Sequence, residues 1–199
     1  MSEHKRYLGD LIGGSLMLRE SQIIADLLLT EPTLEDWNKA IVEENILQKP
    51  SAASAKRNAA TIKKRLESLN NEYLQKLAYS GTEEATQLMF AATLINAPPI
   101  LADFMRIVVT DAKRMYREAL NVDDWQHFWQ ERGRLYPGLL EMSESSTYKI
   151  SQVAFKVLAD AGYIDSTKHK KLMNIFVSPD VRILLSEMDR DDIVRAMEP

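Results

Sequence analysis

The chain has 199 residues, with 25 Lys and Arg against 29 Asp and Glu, 45% hydrophobic residues and no cysteine. That length allows one large or two small domains around a true core, the seven Gly and seven Pro are too few for an all-β chain, and the missing cysteines exclude disulfides, thiolate metal sites and cysteine nucleophiles. A formal net charge of -4 argues against indiscriminate binding of polyanions, and both halves of the chain carry the same small acidic excess, so any nucleic-acid signal must be local.

Two early basic residues are followed by Asp10 and a Gly pair, which is not the pattern of a secretion signal. No apolar run approaches the length of a membrane span, and a cytoplasmic protein is expected. After this irregular start, Ile23, Ile24, Leu27 and Leu28 recur at the spacing of one helical face, and Pro32 ends that first helix. Thr33 then caps a second helix with Glu35 and Asp36 in its first turn and an apolar stripe of Leu34, Trp37 and Ile41. A short link, "ILQKP", leads to Ser51, which caps a third helix reaching about Leu69, where Asn70 and Asn71 signal its end.

The third helix carries Lys56, Arg57, Lys63, Lys64 and Arg65 and, between residues 51 and 66, no acid. At about 100° per residue, Ala55, Ala59, Ile62, Leu66 and Leu69 gather on one side. Lys56, Arg57, Lys63 and Lys64 share a separate arc with small Ala60, and Arg65 lies on the flank. A merely solvated helix interleaves Glu with Lys at four-residue spacing, and here Glu67 is the first acid after Glu44. Ser51 and Ser54 bracket two alanines at the helix tip, small enough for close approach to a groove, and the free N–H groups there favour phosphate. Together with Lys49, these residues form the first candidate DNA-binding set, and three short helices with the third basic are the layout of a helix-turn-helix.

The middle of the chain reads as helices: "TEEATQLMFAATLINA", then, after Pro98-Pro99, "ILADFMRIVVTDAKRMYREAL" and "VDDWQHFWQERG". Trp125, Phe128 and Trp129 at helical spacing are packing residues rather than base-stacking ones, and His127 has no partner at ligand spacing. Further on, Ile150, Val153, Ala154, Val157, Leu158 and Ala161 make one buried stripe, Phe155 points away from it toward the middle helices, and Gly162 ends the helix. A β-prone "YI", a polar loop "DSTKHKK" and a β-prone "LMNIFV" predict a short hairpin before Pro179. This is the order of a winged helix, with Tyr148, Lys149, Gln152 and Lys156 on the recognition helix and Lys168, His169, Lys170 and Lys171 at the wing tip.

Catalysis has no support in the sequence. "IGGS" lacks the Lys of a phosphate loop, His4, His127 and His169 have no neighbours at metal or triad spacing, and the pairs Asp123-Asp124 and Asp191-Asp192 read as first-turn charges of helices. No cofactor, metal or small-molecule substrate is expected.

The segments "EENILQ" (43–48), "SAASAKR" (51–57), "IKKRL" (62–66), "SSTYKI" (145–150) and "LADAGYI" (158–164) run in the order seen in the BrxA family, the small component of BREX (bacteriophage exclusion) defence systems, which the chain resembles over most of its length. The resemblance implies a mainly helical fold of helix-turn-helix or winged-helix character, binding of double-stranded DNA, and action beside other BREX proteins. It points to Ser54, Lys56, Arg57 and Arg65 in the first module and to Thr147 and Lys149 in the second; where the family often has Thr, Ser54 keeps the hydroxyl.

The fold expected is therefore a mainly α helical bundle with an N-terminal helix-turn-helix module (1–80), central helices (81–135) and a C-terminal winged-helix-like module with one short β-hairpin (136–199). A protein-interaction adaptor for other defence components and an RNA-binding helical protein are the alternatives, the first favoured by the acidic C-terminal "SEMDRDDIVRAMEP".

Overall fold

In a computed structural model, residues 2–9, 11–96 and 99–199 are described; Asp10 and Pro98, used above as sequence signals, lie outside them. The helices are α1 (Glu3–Leu8), α2 (Leu18–Leu29), α3 (Leu34–Asn38), α4 (Ala52–Leu66), α5 (Asn71–Tyr79), α6 (Thr82–Asn96), α7 (Pro99–Phe104), α8 (Thr110–Arg114), α9 (Val122–Leu135), α10 (Glu144–Asp160), α11 (Pro179–Glu187) and α12 (Asp191–Met197). Tight turns at Leu11–Gly13 and Pro137–Leu139 precede α2 and α10. Between α7 and α8, and after α3, the helix widens over Met105–Val109 and Lys39–Glu43. The second of these is closed by the Glu44 N–H on the Lys39 carbonyl, 2.9 Å.

Local chemistry sets most helix starts. Thr33 with Asp36, Ser51 with Ser54, and Asn121 with Asp124 form reciprocal caps in which each partner accepts the other's backbone N–H. Asn70, Ser143 and Ser178 cap α5, α10 and α11 with their side chains. The sequence reading took Asn70 only as a stop, and it is equally a start: Tyr73, Leu74 and Leu77 of α5 are buried against the first helices. α1 stands where an irregular start was expected.

Buried side chains from Tyr7 to Met197 form one continuous apolar cluster. Its axis is α6, in which Ala85, Leu88, Met89, Phe90, Ala91, Ala92 and Leu94 are all buried, because α2, α4, α5, α7, α11 and α12 surround it. Phe155 leaves the α10 stripe to meet Phe104 edge-on at 6.1 Å and Trp125 at 6.3 Å, as its spacing predicts. Trp125, Phe128 and Trp129 are core residues, and His127 is exposed.

Two expectations need correction. The predicted helix from Ile100 to Leu120 stops at Arg114, where Tyr116 takes a left-handed backbone (φ 53°). Beyond it, the Leu172 N–H binds the Glu118 carbonyl and the Leu120 N–H binds the Lys170 carbonyl. The predicted hairpin is also reduced. Among the described residues there is no strand, only two antiparallel bridges, Ile164 with Leu172 and Ala119 with Lys171. In "NIFV" the Phe176 carbonyl accepts from Gln87 at 3.0 Å rather than from a ladder, and the same Gln87 amide accepts from the N–H of the following Ser178 at 2.8 Å.

Candidate nucleic-acid interface

α4 turns Ala55, Ala59, Ile62 and Leu66 inward, all fully buried, which fixes the rotation of the helix and sends its basic arc outward. On that arc Lys56, Arg57 and Lys64 are exposed, and among the described residues none has an ion-pair partner. The other three cations of the first set are already engaged. Lys63 is half-buried with its ammonium 4.8 Å from the centre of the Trp37 ring. The Lys49 ammonium lies 2.5 Å from Glu20. Burial pushes the Glu20 carboxyl up, yet the bond from Lys49, a backbone N–H and the charges of Lys49 and Arg19 together outweigh it and hold the group below its ordinary value.

Arg65 is the clear departure. It is fully buried and donates to the Ser15 and Gly14 carbonyls at 2.8 and 2.9 Å, so it ties α4 to the segment before α2 and has no face for a phosphate. Helical spacing put it on the flank, but spacing cannot show that an irregular loop closes over that flank. Ser51 and Ser54 spend their hydroxyls on each other and on the α4 cap. The tip keeps the small exposed Ala52 and Ala53.

The helix-turn-helix expectation is also altered, since the link from Glu43 to Ala52 is longer than the three- or four-residue turn of that motif. Asn45 and Gln48 adopt left-handed backbone there (φ 47° and 52°), and the Asn45 amide accepts from the Lys49 N–H and donates to its carbonyl.

On α10 the exposed arc holds Lys149, Gln152 and Lys156. Lys149 and Gln152 have no side-chain partner among the described residues, whereas Lys156 is paired with Asp160 one turn on. Thr147 and Tyr148 sit differently. The Thr147 hydroxyl donates to the Ser143 carbonyl at 3.2 Å, and both residues line the cleft between α9 and α10. In the loop after α10, Lys168 and Lys171 are exposed and unpaired among the described residues. His169 lies 3.5 Å from Asp165, and Lys170, with left-handed backbone (φ 54°), rests 5.1 Å above the Phe155 ring. Burial raises the Asp165 carboxyl, but the backbone N–H groups of Lys171 and Ser166 and nearby His169 bring it below its ordinary value, so the loop is closed on an anion.

The sequence reading missed the end of α8. Arg114 and Tyr116 are exposed there, Tyr116 at 93%, just before the segment that bridges to residues 170–172. "AKRMYR", with three cations in six residues, was the available signal, hidden because its surroundings read as core helix. Arg117, the last of the three, is not free: it makes a bidentate pair with Asp124 at 2.7 and 2.8 Å.

The described residues thus define a helical protein that presents unpaired cations from α4 and from α10 with its following loop, and that gathers no group of three or more metal-ligating side chains. Residues 5–189 match the BrxA family model. The chain is 38% identical over 194 residues to the BREX protein BrxA of Escherichia coli O9:H4 (strain HS), covering 98% of this chain and 91% of that one. It is 33% identical over 193 residues to the BREX protein BrxA of Paramagnetospirillum magneticum (strain ATCC 700264 / AMB-1), covering 97% and 96%. A crystal structure of an uncharacterized protein from Magnetospirillum magneticum superposes with a TM-score of 0.87 at 32% identity over 97% of this chain and 98% of that one. The chain belongs to the BrxA family.

Proposed function

We propose that this protein acts in BREX phage defence as a non-enzymatic, cytoplasmic binder of double-stranded DNA, working beside other BREX proteins and holding the duplex mainly through phosphates. The observation that carries the reading is the unpaired triad Lys56, Arg57 and Lys64 on a helix whose opposite side is locked in the core. A solvated helix in an acidic protein gains from neutralising its cations, and Lys49, Arg117, Lys156 and Arg182 of this chain all do so. Three adjacent cations left without acids are better matched to an external polyanion. Lys149, Lys168 and Lys171 form the second anchor. The order of a short extended segment, α9, α10 and a basic loop closed by the Ile164–Leu172 bridge, with Lys171 bridged back to Ala119, supports a winged-helix use of this region.

Sequence preference is weak in this reading, because Gln152 is the one amide on either basic arc placed to read a base edge. If six cations each neutralise a phosphate, the logarithm of the binding constant falls against the logarithm of salt with a slope of about -5. Fluorescence anisotropy of a labelled duplex across a salt series, on the wild type and on a Lys56→Glu/Arg57→Glu/Lys64→Glu variant, tests it. Wild-type binding with that slope and its loss in the variant support the reading. A salt-insensitive wild type, or an unchanged variant, overturns it, and stronger competition by duplex RNA than by DNA redirects it to RNA.

A further inference from the structure

Between α9 and α10 lies a cleft of about 680 Å³ that none of the unpaired cations lines, although the candidate residues Thr147 and Tyr148 do. Its size is that of a small-molecule site. Trp125, Trp129 and Leu139 form the wall toward the core, all buried, while Val122, Leu140 and Tyr148 remain exposed at 40%, 56% and 62%. That wall is rigid, because Trp125 is braced by Phe104 at 4.9 Å, Phe128 at 5.7 Å and Phe155 at 6.3 Å. Gly133 on α9, where a Cβ would come within 2.4 Å of the Leu140 side chain, lets the chain after α9 lie close against that helix. The cleft is therefore a preformed feature of the fold.

The charge of its lining says what it would hold. Glu144 is the one charged side chain in the described lining, which contains no Lys, Arg or His. A lone carboxylate repels phosphates and carboxylates and favours a cation, and the exposed Tyr148 ring adds its own attraction for it. One carboxylate without companion ligands does not make a metal site.

We infer that the α9–α10 cleft is a binding site for a small apolar organic cation, an aromatic ammonium compound. The site is independent of the phosphate-facing cations, since Lys149 and Lys156 point to the adjacent arc of α10, but it shares that helix through Thr147, Tyr148 and Ser151.

Protein-observed NMR on the full chain tests this with three matched probes: tyramine, its neutral counterpart 4-ethylphenol, and its anionic counterpart 3-(4-hydroxyphenyl)propionate. Tyramine is expected to move the indole N–H signals of Trp125 and Trp129 and the amides of Gln126 and Ser145, with affinity about tenfold above that of the anion, the scale set by one partly screened charge pair. Glu144→Gln should erase the difference between cation and anion while leaving 4-ethylphenol unchanged. Gln126→Trp, an exposed α9 position that lines the cleft, should block all three without altering the rest of the spectrum. Equal response to the three probes, shifts confined to other parts of the protein, or no shift at millimolar tyramine overturns the inference. No DNA is present in the experiment, so its outcome is separate from that of the duplex reading.

Discussion

α4 and α10 are both amphipathic helices with basic outer arcs, yet they handle their charge in different ways. Among the described residues, α4 leaves Lys56, Arg57 and Lys64 without carboxylate partners, while α10 pairs Lys156 with Asp160 and carries Glu144 in its first turn. The difference teaches that a basic helix face is not one kind of object. Where the fold supplies acids, the charge is already satisfied; where it withholds them, the charge is available to a partner from outside.

The sharpest way to break this contrast is to reverse the α4 triad. Lys56→Glu/Arg57→Glu/Lys64→Glu should weaken duplex binding by about 100-fold or more, from the loss of three phosphate contacts and the repulsion of three new ones, with circular dichroism unchanged. Reversing Lys149, Lys168 and Lys171 together should cost about tenfold, because neighbouring Glu144, Asp160 and Asp165 already lower the local potential. A larger effect there than on α4 would invert the ranking of the two surfaces. Arg65 sharpens the comparison from the inside: Arg65→Ala should destabilise the fold by about 2–4 kcal/mol in chemical denaturation, from two lost charge-assisted bonds and the cavity left behind, with DNA affinity per folded molecule unchanged. The finest test frees a masked charge. Asp160→Asn should release Lys156 and tighten duplex binding by about two- to threefold at low salt, an effect that vanishes at high salt.

Acid provides a further check, this time on the scaffold beneath α10. Burial raises the Asp124 carboxyl, but the bidentate Arg117 and the Asn121 N–H outweigh it and hold the group below its ordinary value. A carboxyl held lower in the folded state contributes stability above the unfolded value, near pH 4, and loses it as pH falls through the folded value. Thermal scans should therefore show Asp124→Asn less stable than wild type at pH 6, with the gap closing below about pH 4.

Most helices, caps and inward stripes were readable in the sequence because each depends on spacing or on a residue and its third neighbour, as Thr33–Asp36 and Ser51–Ser54 do, although Leu34, expected in the second stripe, is exposed at 80%. The same holds for the rotation of α4. What failed depended on contacts remote in the chain. Gln87 engages the Phe176 carbonyl from 89 positions away, and the Gly14–Ser15 carbonyls turn Arg65 into a core residue from about 50 away. Pairing by Glu20 likewise retired Lys49 from the candidate set, and nothing in "ILQKP" announces it. A basic residue's neighbours along a helix are legible; the acid that folds over it is not.

Lys63 over Trp37 has a practical corollary. An ammonium held on an indole face perturbs the ring's emission, and a polyanion drawing that ammonium away would change it. Of the three tryptophans, Trp125 and Trp129 are shut in the interior, so replacing both with Phe leaves Trp37 as a built-in optical gauge of what sits on α4, readable without any attached dye.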